Sequence, residues 1–152
     1  MSVRRYLAAV AGAAVVAIAF TVPSASASTD STTAEGYQYE NAGLCLDGSL
    51  SGGLALKTCN AASSYQRWTL GSDSLLRNAH YGAVCVDGSI SQGVRLEYCD
   101  TASVYQKWTR SGTEFRNNAN PGYCLDYSVS QGFRLAPCNG TTYQRWGKLQ
   151  DV

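Results

Sequence analysis

Cys45-Leu46-Asp47-Gly48-Ser49, Cys85-Val86-Asp87-Gly88-Ser89 and Cys124-Leu125-Asp126-Tyr127-Ser128 are one phrase written three times. Fourteen residues after each opening cysteine comes a second, at Cys59, Cys99 and Cys138. Each copy then closes on Tyr-Gln-x-Trp, from Tyr65 to Trp68, Tyr105 to Trp108 and Tyr143 to Trp146. The opening cysteines are 40 and then 39 residues apart. A fixed period of this size makes the repeat the structural unit. The units fall at about residues 35–74, 75–113 and 114–152, and a site in one of them is expected in the others, intact or degraded.

Ahead of the repeats the chain reads as an export signal. Arg4 and Arg5 form a basic start, Leu7 to Phe20 is an uninterrupted apolar run, and Ala25-Ser26-Ala27 is a small-residue cleavage site. The run has 14 residues, short for a bilayer span of about 20. Residues 1–27 are therefore expected to be a signal peptide, and the protein to be secreted and extracellular, with no membrane insertion once the signal is removed. Residues 28–34 are a Ser/Thr-rich leader, and residues 35–152 form one domain. Without Arg4 and Arg5 the chain carries 10 Lys and Arg against 11 Asp and Glu. That balance offers no electrostatic footprint for nucleic acid.

All six cysteines lie in the repeats as three equally spaced pairs. In an exported chain an even count reads as a disulfide framework. Symmetry favours pairing within each unit: Cys45–Cys59, Cys85–Cys99 and Cys124–Cys138. A loop of that size is worth about 3 kcal/mol in the chain-entropy model. A metal site is not expected, because His80 is the single histidine and Cys-x-x-Cys does not occur. No cofactor is implied.

No stretch of the repeats sustains a helical period. Short runs rich in β-branched and aromatic residues, broken by Gly, Ser and Asn, predict strands. The second unit shows four, at Leu75–Asn78, Val84–Asp87, Val94–Tyr98 and Gln106–Thr109, and the third repeats them, ending on Gln144–Trp146. Four strands in each of three units make twelve, the strand count of an all-β, disulfide-stapled β-trefoil with pseudo-threefold symmetry. Alternation along the last strand places Trp68, Trp108 and Trp146 in the shared core together with Gln66, Gln106 and Gln144. The buried amides then need partners, most simply backbone groups of their own unit. Tyr65, Tyr105 and Tyr143 are expected to face solvent with Arg67, Lys107 and Arg145.

The Cys-x-Asp openings, the cysteine pair in each unit and the three Gln-x-Trp closings resemble the ricin B-chain type lectins over residues 37–147. That family is made of β-trefoils, also used as carbohydrate-binding modules by secreted microbial enzymes. The resemblance implies that Asp47, Asp87 and Asp126 accept hydrogen bonds from neighbouring sugar hydroxyls, as an ionised carboxylate can. The competing reading of each Asp is a turn that caps the amides of the following residues. Other family positions depart. Two residues before the second cysteine, where an aromatic ring usually lies under the sugar, stand Lys57, Glu97 and Ala136. Four residues before it stand Ala55, Arg95 and Arg134, and Tyr replaces the Asn often found before Gln-x-Trp.

Two functions follow. Either the ring has moved, with Tyr65, Tyr105 and Tyr143 stacking on a glycan or polysaccharide while Arg95 and Arg134 orient it, or the same surface binds another secreted protein as an adaptor or inhibitor. Tyr and Arg are enriched in protein hot spots, so the residue types suit both. Catalysis is not expected. No nucleophile motif or phosphate loop is present, and a glycosidase needs two carboxylates at one bond, whereas the repeat supplies one Asp per unit.

Overall fold

The computed structural model describes residues 36–149; the expected signal peptide and leader lie outside the described residues. Twelve strands run in chain order through the three repeats. They are β1 (Gln38–Asn41), β2 (Leu44–Ser49), β3 (Gly53–Thr58), β4 (Trp68–Leu70), β5 (Leu76–Asn78), β6 (Val84–Ser89), β7 (Gly93–Tyr98), β8 (Trp108–Ser111), β9 (Glu114–Asn117), β10 (Asn120–Ser128), β11 (Gly132–Pro137) and β12 (Gly147–Leu149). They form three four-stranded antiparallel sheets, ordered β12-β1-β2-β3, β4-β5-β6-β7 and β8-β9-β10-β11. This is the expected all-β trefoil. Among the described residues no helix is long and apolar enough to cross a membrane.

The opening phrases build the longest hairpins. Cys45 faces Lys57, Asp47 faces Ala55 and Ser49 faces Gly53; the second and third repeats copy this register, with Asp87 opposite Arg95 and Asp126 opposite Arg134. Three residues turn each hairpin, and the glycine that follows (Gly53, Gly93, Gly132) has φ of +72°, +78° and +67°. A side chain would strain that left-handed backbone, which is why the same position is glycine in every repeat. The bridges Cys45–Cys59, Cys85–Cys99 and Cys124–Cys138 each close within their own repeat.

The sheets do not coincide with the sequence repeats. The strand that begins at or just after the closing Trp leaves its own unit and pairs with the first strand of the next: β4 with β5, β8 with β9, and β12 back to β1. Trp68, Trp108 and Trp146 thereby meet in one buried core with Leu46, Val86 and Leu125. A buried indole N–H needs an acceptor. It finds the carbonyl of the residue after each opening cysteine, at 2.9 Å for Leu46, 2.8 Å for Val86 and 3.0 Å for Leu125. The closing Trp thus ties itself to the opening phrase of its own unit.

The strand expected over Tyr-Gln-x-Trp is instead a short 3-10 turn, at Ser64–Gln66, Val104–Gln106 and Thr142–Gln144, and the following strand starts only at or after the Trp. The turn aims the Gln inward. Gln66 Oε1 accepts from the Asn60 amide at 2.8 Å and its Nε2 donates to the Thr58 carbonyl at 3.1 Å. Gln106 brackets Cys99 likewise through Asp100 and Tyr98, and Gln144 brackets Cys138 through Asn139 and Pro137. A strand would pair the backbone laterally, whereas here the Gln side chain closes the loop after the second cysteine.

Candidate functional site

Asp47, Asp87 and Asp126 sit midway along β2, β6 and β10, on the hairpin face that carries the residue directly across on the partner strand. All three are buried, at 3%, 5% and 2% exposure. Each lies against a cation from the facing strand. Lys57 Nζ donates to Asp47 Oδ1 at 2.8 Å. Arg95 Nη2 is 3.2 Å from Asp87 Oδ1, and Arg134 Nη2 is 2.8 Å from Asp126 Oδ1. The Asp side chains are the inner halves of ion pairs rather than caps of the residues that follow them. Arg95 also donates through Nε to Glu97 Oε1 at 2.6 Å, so its guanidinium bridges two carboxylates. In the third repeat the closing Gln reaches the same carboxylate: Gln144 Nε2 donates to Asp126 Oδ2 at 3.2 Å.

These pairs are not equally satisfied. In the second and third repeats Asp87 Oδ1, Arg95 Nη1, Asp126 Oδ1 and Arg134 Nη1 are buried without a hydrogen bond of good geometry. In the first repeat Asp47 has no such atom. Burial pushes the Asp87 carboxyl above its ordinary range; the Arg95 charge pulls it back, Glu97 raises it, and the Gln106 hydrogen bond lowers it. The cations keep part of their surface in water, with side-chain exposures of 56% for Lys57, 36% for Arg95 and 31% for Arg134.

The tyrosines before the closing Gln are exposed, at 37% for Tyr65, 48% for Tyr105 and 51% for Tyr143. Their settings differ. Tyr65 lies under His80, ring centroids 3.9 Å apart, with Tyr81 beside it at 5.9 Å. Tyr143 lines an apolar groove shared with the first repeat. The expected outward set is also not uniform. Arg67 is buried and donates to the Ala61 carbonyl at 2.8 Å and the Gly36 carbonyl at 3.3 Å. Glu114 approaches the Cys124–Cys138 bridge, but sulfurs bonded to each other offer no thiolate to a metal.

Two contributors escaped the sequence reading. Lys57 was noted only as a departure from an aromatic position, although its place two residues before Cys59 puts it within reach of Asp47. His80 and Tyr81 sit in a loop that is longer in the second repeat than in the first, and that length difference was the available signal.

The sequence profile described as the ricin-type beta-trefoil lectin domain matches residues 35–146. No curated protein sequence matches the chain. Among solved structures, a non-toxic homologue of type II RIPs from Momordica charantia (bitter gourd), in complex with α-methyl-D-galactoside, superposes with a TM-score of 0.65 at 20% identity, covering 75% of this chain and 47% of that one. The agglutinin from Abrus precatorius gives 0.66 at 19%, covering 79% and 48%. The β-trefoil lectin of the Vibrio vulnificus hemolysin/cytolysin, with N-acetyl-D-lactosamine bound, gives 0.61 at 23%, covering 76% and 95%. The chain thus spans about half the length of the two plant chains and nearly all of the bacterial lectin domain. At these identities the likeness is one of fold.

Proposed function

The chain belongs to the ricin-type β-trefoil lectin domain family, and from that premise we propose that it is a secreted, non-catalytic carbohydrate-binding protein whose working sites are in the second and third repeats. The observation that carries this reading is the pair of buried carboxylates, Asp87 and Asp126, each held against an arginine by a contact that is not a well-aligned hydrogen bond. A buried ion pair without well-aligned hydrogen bonds leaves part of its desolvation cost uncompensated. A hydroxyl is the neutral group able to donate to a carboxylate oxygen and accept from a guanidinium at once. The arginine side chains keep about a third of their surface in water, so a hydroxyl that replaces part of the guanidinium contact leaves the arginine solvated. In the first repeat the Asp47–Lys57 hydrogen bond and the His80 ring over Tyr65 close both halves of the site. Tyr105, next to Gln106, is the exposed ring available to stack on a sugar in the second repeat.

The absence of catalysis rests on charge placement. Asp87 and Glu97 are two carboxylates of one site, and Arg95 pairs with both. A cation there occupies the space where an acid and a base would have to face one bond. Secretion rests on the Arg4-Arg5 start, the apolar run and the cysteine usage. Because the bitter gourd and Vibrio proteins were solved with a galactoside and N-acetyl-D-lactosamine, those sugars are the first to test. Calorimetry and amide-resolved NMR titration with each should show binding with shifts at Asp87, Arg95, Asp126 and Arg134. Asp87→Asn and Asp126→Asn should each remove one site, and Asp47→Asn none. Sugar binding retained in the Asp87/Asp126 double variant would falsify the assignment. Should that variant misfold, wild-type shifts confined to other residues would equally overturn it.

A further inference from the structure

The junctions between successive repeats are built from the same parts, and one loop distinguishes two of them. Asn41 and Asn78 end the corresponding strands β1 and β5. Both donate their amides to the 3-10 turn of the preceding repeat. Asn41 Nδ2 reaches the Thr142 and Arg145 carbonyls at 2.9 Å, and Asn78 Nδ2 the Tyr65 carbonyl at 2.8 Å. From Asn41 the chain reaches Leu44, the residue before Cys45, through Ala42-Gly43. From Asn78 it reaches Val84, the residue before Cys85, through Ala79-His80-Tyr81-Gly82-Ala83. The shorter loop has no counterpart of His80 or Tyr81.

At the junction of the first and second repeats those two rings fill the space between the tyrosine and the hairpin turn. The Tyr81 ring stands 5.9 Å from that of Tyr65, and its phenolic oxygen accepts from the Leu50 amide at 3.1 Å. His80 stacks on Tyr65, and its Nδ1 lies 2.8 Å from Ser64 Oγ. At the junction of the third and first repeats the counterparts of Leu50 and Tyr65 are Val129 and Tyr143. Both line an open groove of about 260 Å³ whose other walls include Ala42, Leu44, Leu56 and Tyr127. Val129 is 94% exposed. Neither Asp126 nor Arg134 lines this groove.

We propose that the groove between the third and first repeats binds a tyrosine side chain of a partner polypeptide, seated as Tyr81 is seated at the neighbouring junction. The fold supplies the template from its own chain. The incoming ring lies beside Tyr143 on the walls formed by Leu44, Leu56 and Tyr127, and its oxygen takes the Val129 amide. A phenol suits such a place because its body is apolar and its tip is polar. A sugar suits it less, since Asn41, Ser128 and Thr142 are the polar residues of the lining besides the tyrosines, too few to partner the hydroxyls of a sugar ring. This surface is separate from the Asp–Arg pairs, so it adds a protein-binding capacity to the carbohydrate reading and does not depend on it.

The test is an amide-resolved NMR titration of the protein with N-acetyl-L-tyrosinamide. Saturable shifts are expected at Val129, Ala42 and Leu44. The phenylalanine analogue, lacking the oxygen, is expected to bind about fivefold more weakly, the worth of one hydrogen bond. Inserting His-Tyr-Gly between Ala42 and Gly43 copies the longer loop and should abolish those shifts. Tyr81→Ala should open the first junction and add a second set of shifts at Leu50 and Tyr65. Circular dichroism checks that both variants keep the fold. The proposal is overturned by an absence of tyrosinamide shifts at Val129 in the wild type, by their persistence in the insertion variant, or by shifts at Val129 that a galactoside produces and tyrosinamide does not.

Discussion

At the scale of single residues, the informative atoms are those of Asp87. Its carboxylate is buried against Arg95, with Glu97 sharing the same guanidinium. Burial outweighs the attraction of Arg95, so the neutral form gains and the pKa rises above the ordinary value. The consequence for stability has a definite sign. A raised carboxyl pKa contributes stability that is present below the unfolded value, about 3.9, and is lost as pH rises through the folded value. Asp73 behaves oppositely. Its hydrogen bonds to Arg77 hold it down to about 2, so its contribution is present at neutral pH and disappears as pH falls through that value. Binding follows ionisation in a different way, since a protonated Asp87 can no longer serve as a purely accepting carboxylate for a hydroxyl. Sugar affinity at the second repeat is therefore expected to fall on acidification while pH is still above the ordinary aspartate range. Carboxyl-carbon NMR of Asp87, read alongside calorimetry from pH 7 to about pH 4 across the range in which carboxylates titrate, measures both. A titration of Asp87 at or below the ordinary value would remove the basis for this expectation.

At the scale of elements, the hairpins were legible in the sequence because their causes are local. Paired cysteines, a glycine after each turn and alternation between them set the register, and the structure follows it. The closing Gln-x-Trp was legible as core but not as a turn. An inward Gln fits strand alternation in the sequence, whereas a 3-10 turn delivers the same side chain inward by another route. The Asp–cation pairs were hidden for a related reason. Which residue faces Asp87 depends on cross-strand register, and that register sets Arg95 directly opposite it. One element carries a further constraint. A Cβ on Gly88 would come within 2.8 Å of the Trp108 ring, and one on Gly48 within 2.6 Å of Trp68. The third repeat has Tyr127 at this register, and there Phe133 stacks near Trp146 with centroids 6.0 Å apart. Gly88→Ala should therefore overpack the core and cost about 1–3 kcal/mol. Urea unfolding measures it, and an unchanged midpoint would show that Trp108 can shift as freely as the third repeat's arrangement requires.

At the scale of the whole molecule, pairing of each Trp strand with the following repeat makes the repeats interdependent. In a solenoid, successive units can fold by stepwise addition, because each touches only its neighbours. Here β12 returns to β1, with Gln38 facing Leu149 and Glu40 facing Gly147, so the ring of sheets is complete only when both ends of the domain are in place. Lys148 over the Tyr37 ring at 3.2 Å adds a contact at the same seam. The disulfides do not bridge this seam, since each closes a loop of sequence separation 14 inside its own repeat. They stiffen hairpins and leave closure to hydrogen bonding and core packing. Two consequences separate these roles. Replacing Cys85 and Cys99 together by Ala should lower stability by about 3 kcal/mol, the chain-entropy value for such a loop, while unfolding remains a single transition. Ending the chain after Trp146 removes β12 and should abolish the cooperative transition altogether, because β1 loses one of its two partner strands and the indole core loses one of its covering strands. Calorimetric unfolding of the two variants compares them directly. A truncated chain that still melts in one sharp transition, or a disulfide variant that melts in two, would show that the repeats fold as separate units and that the closing strand is dispensable.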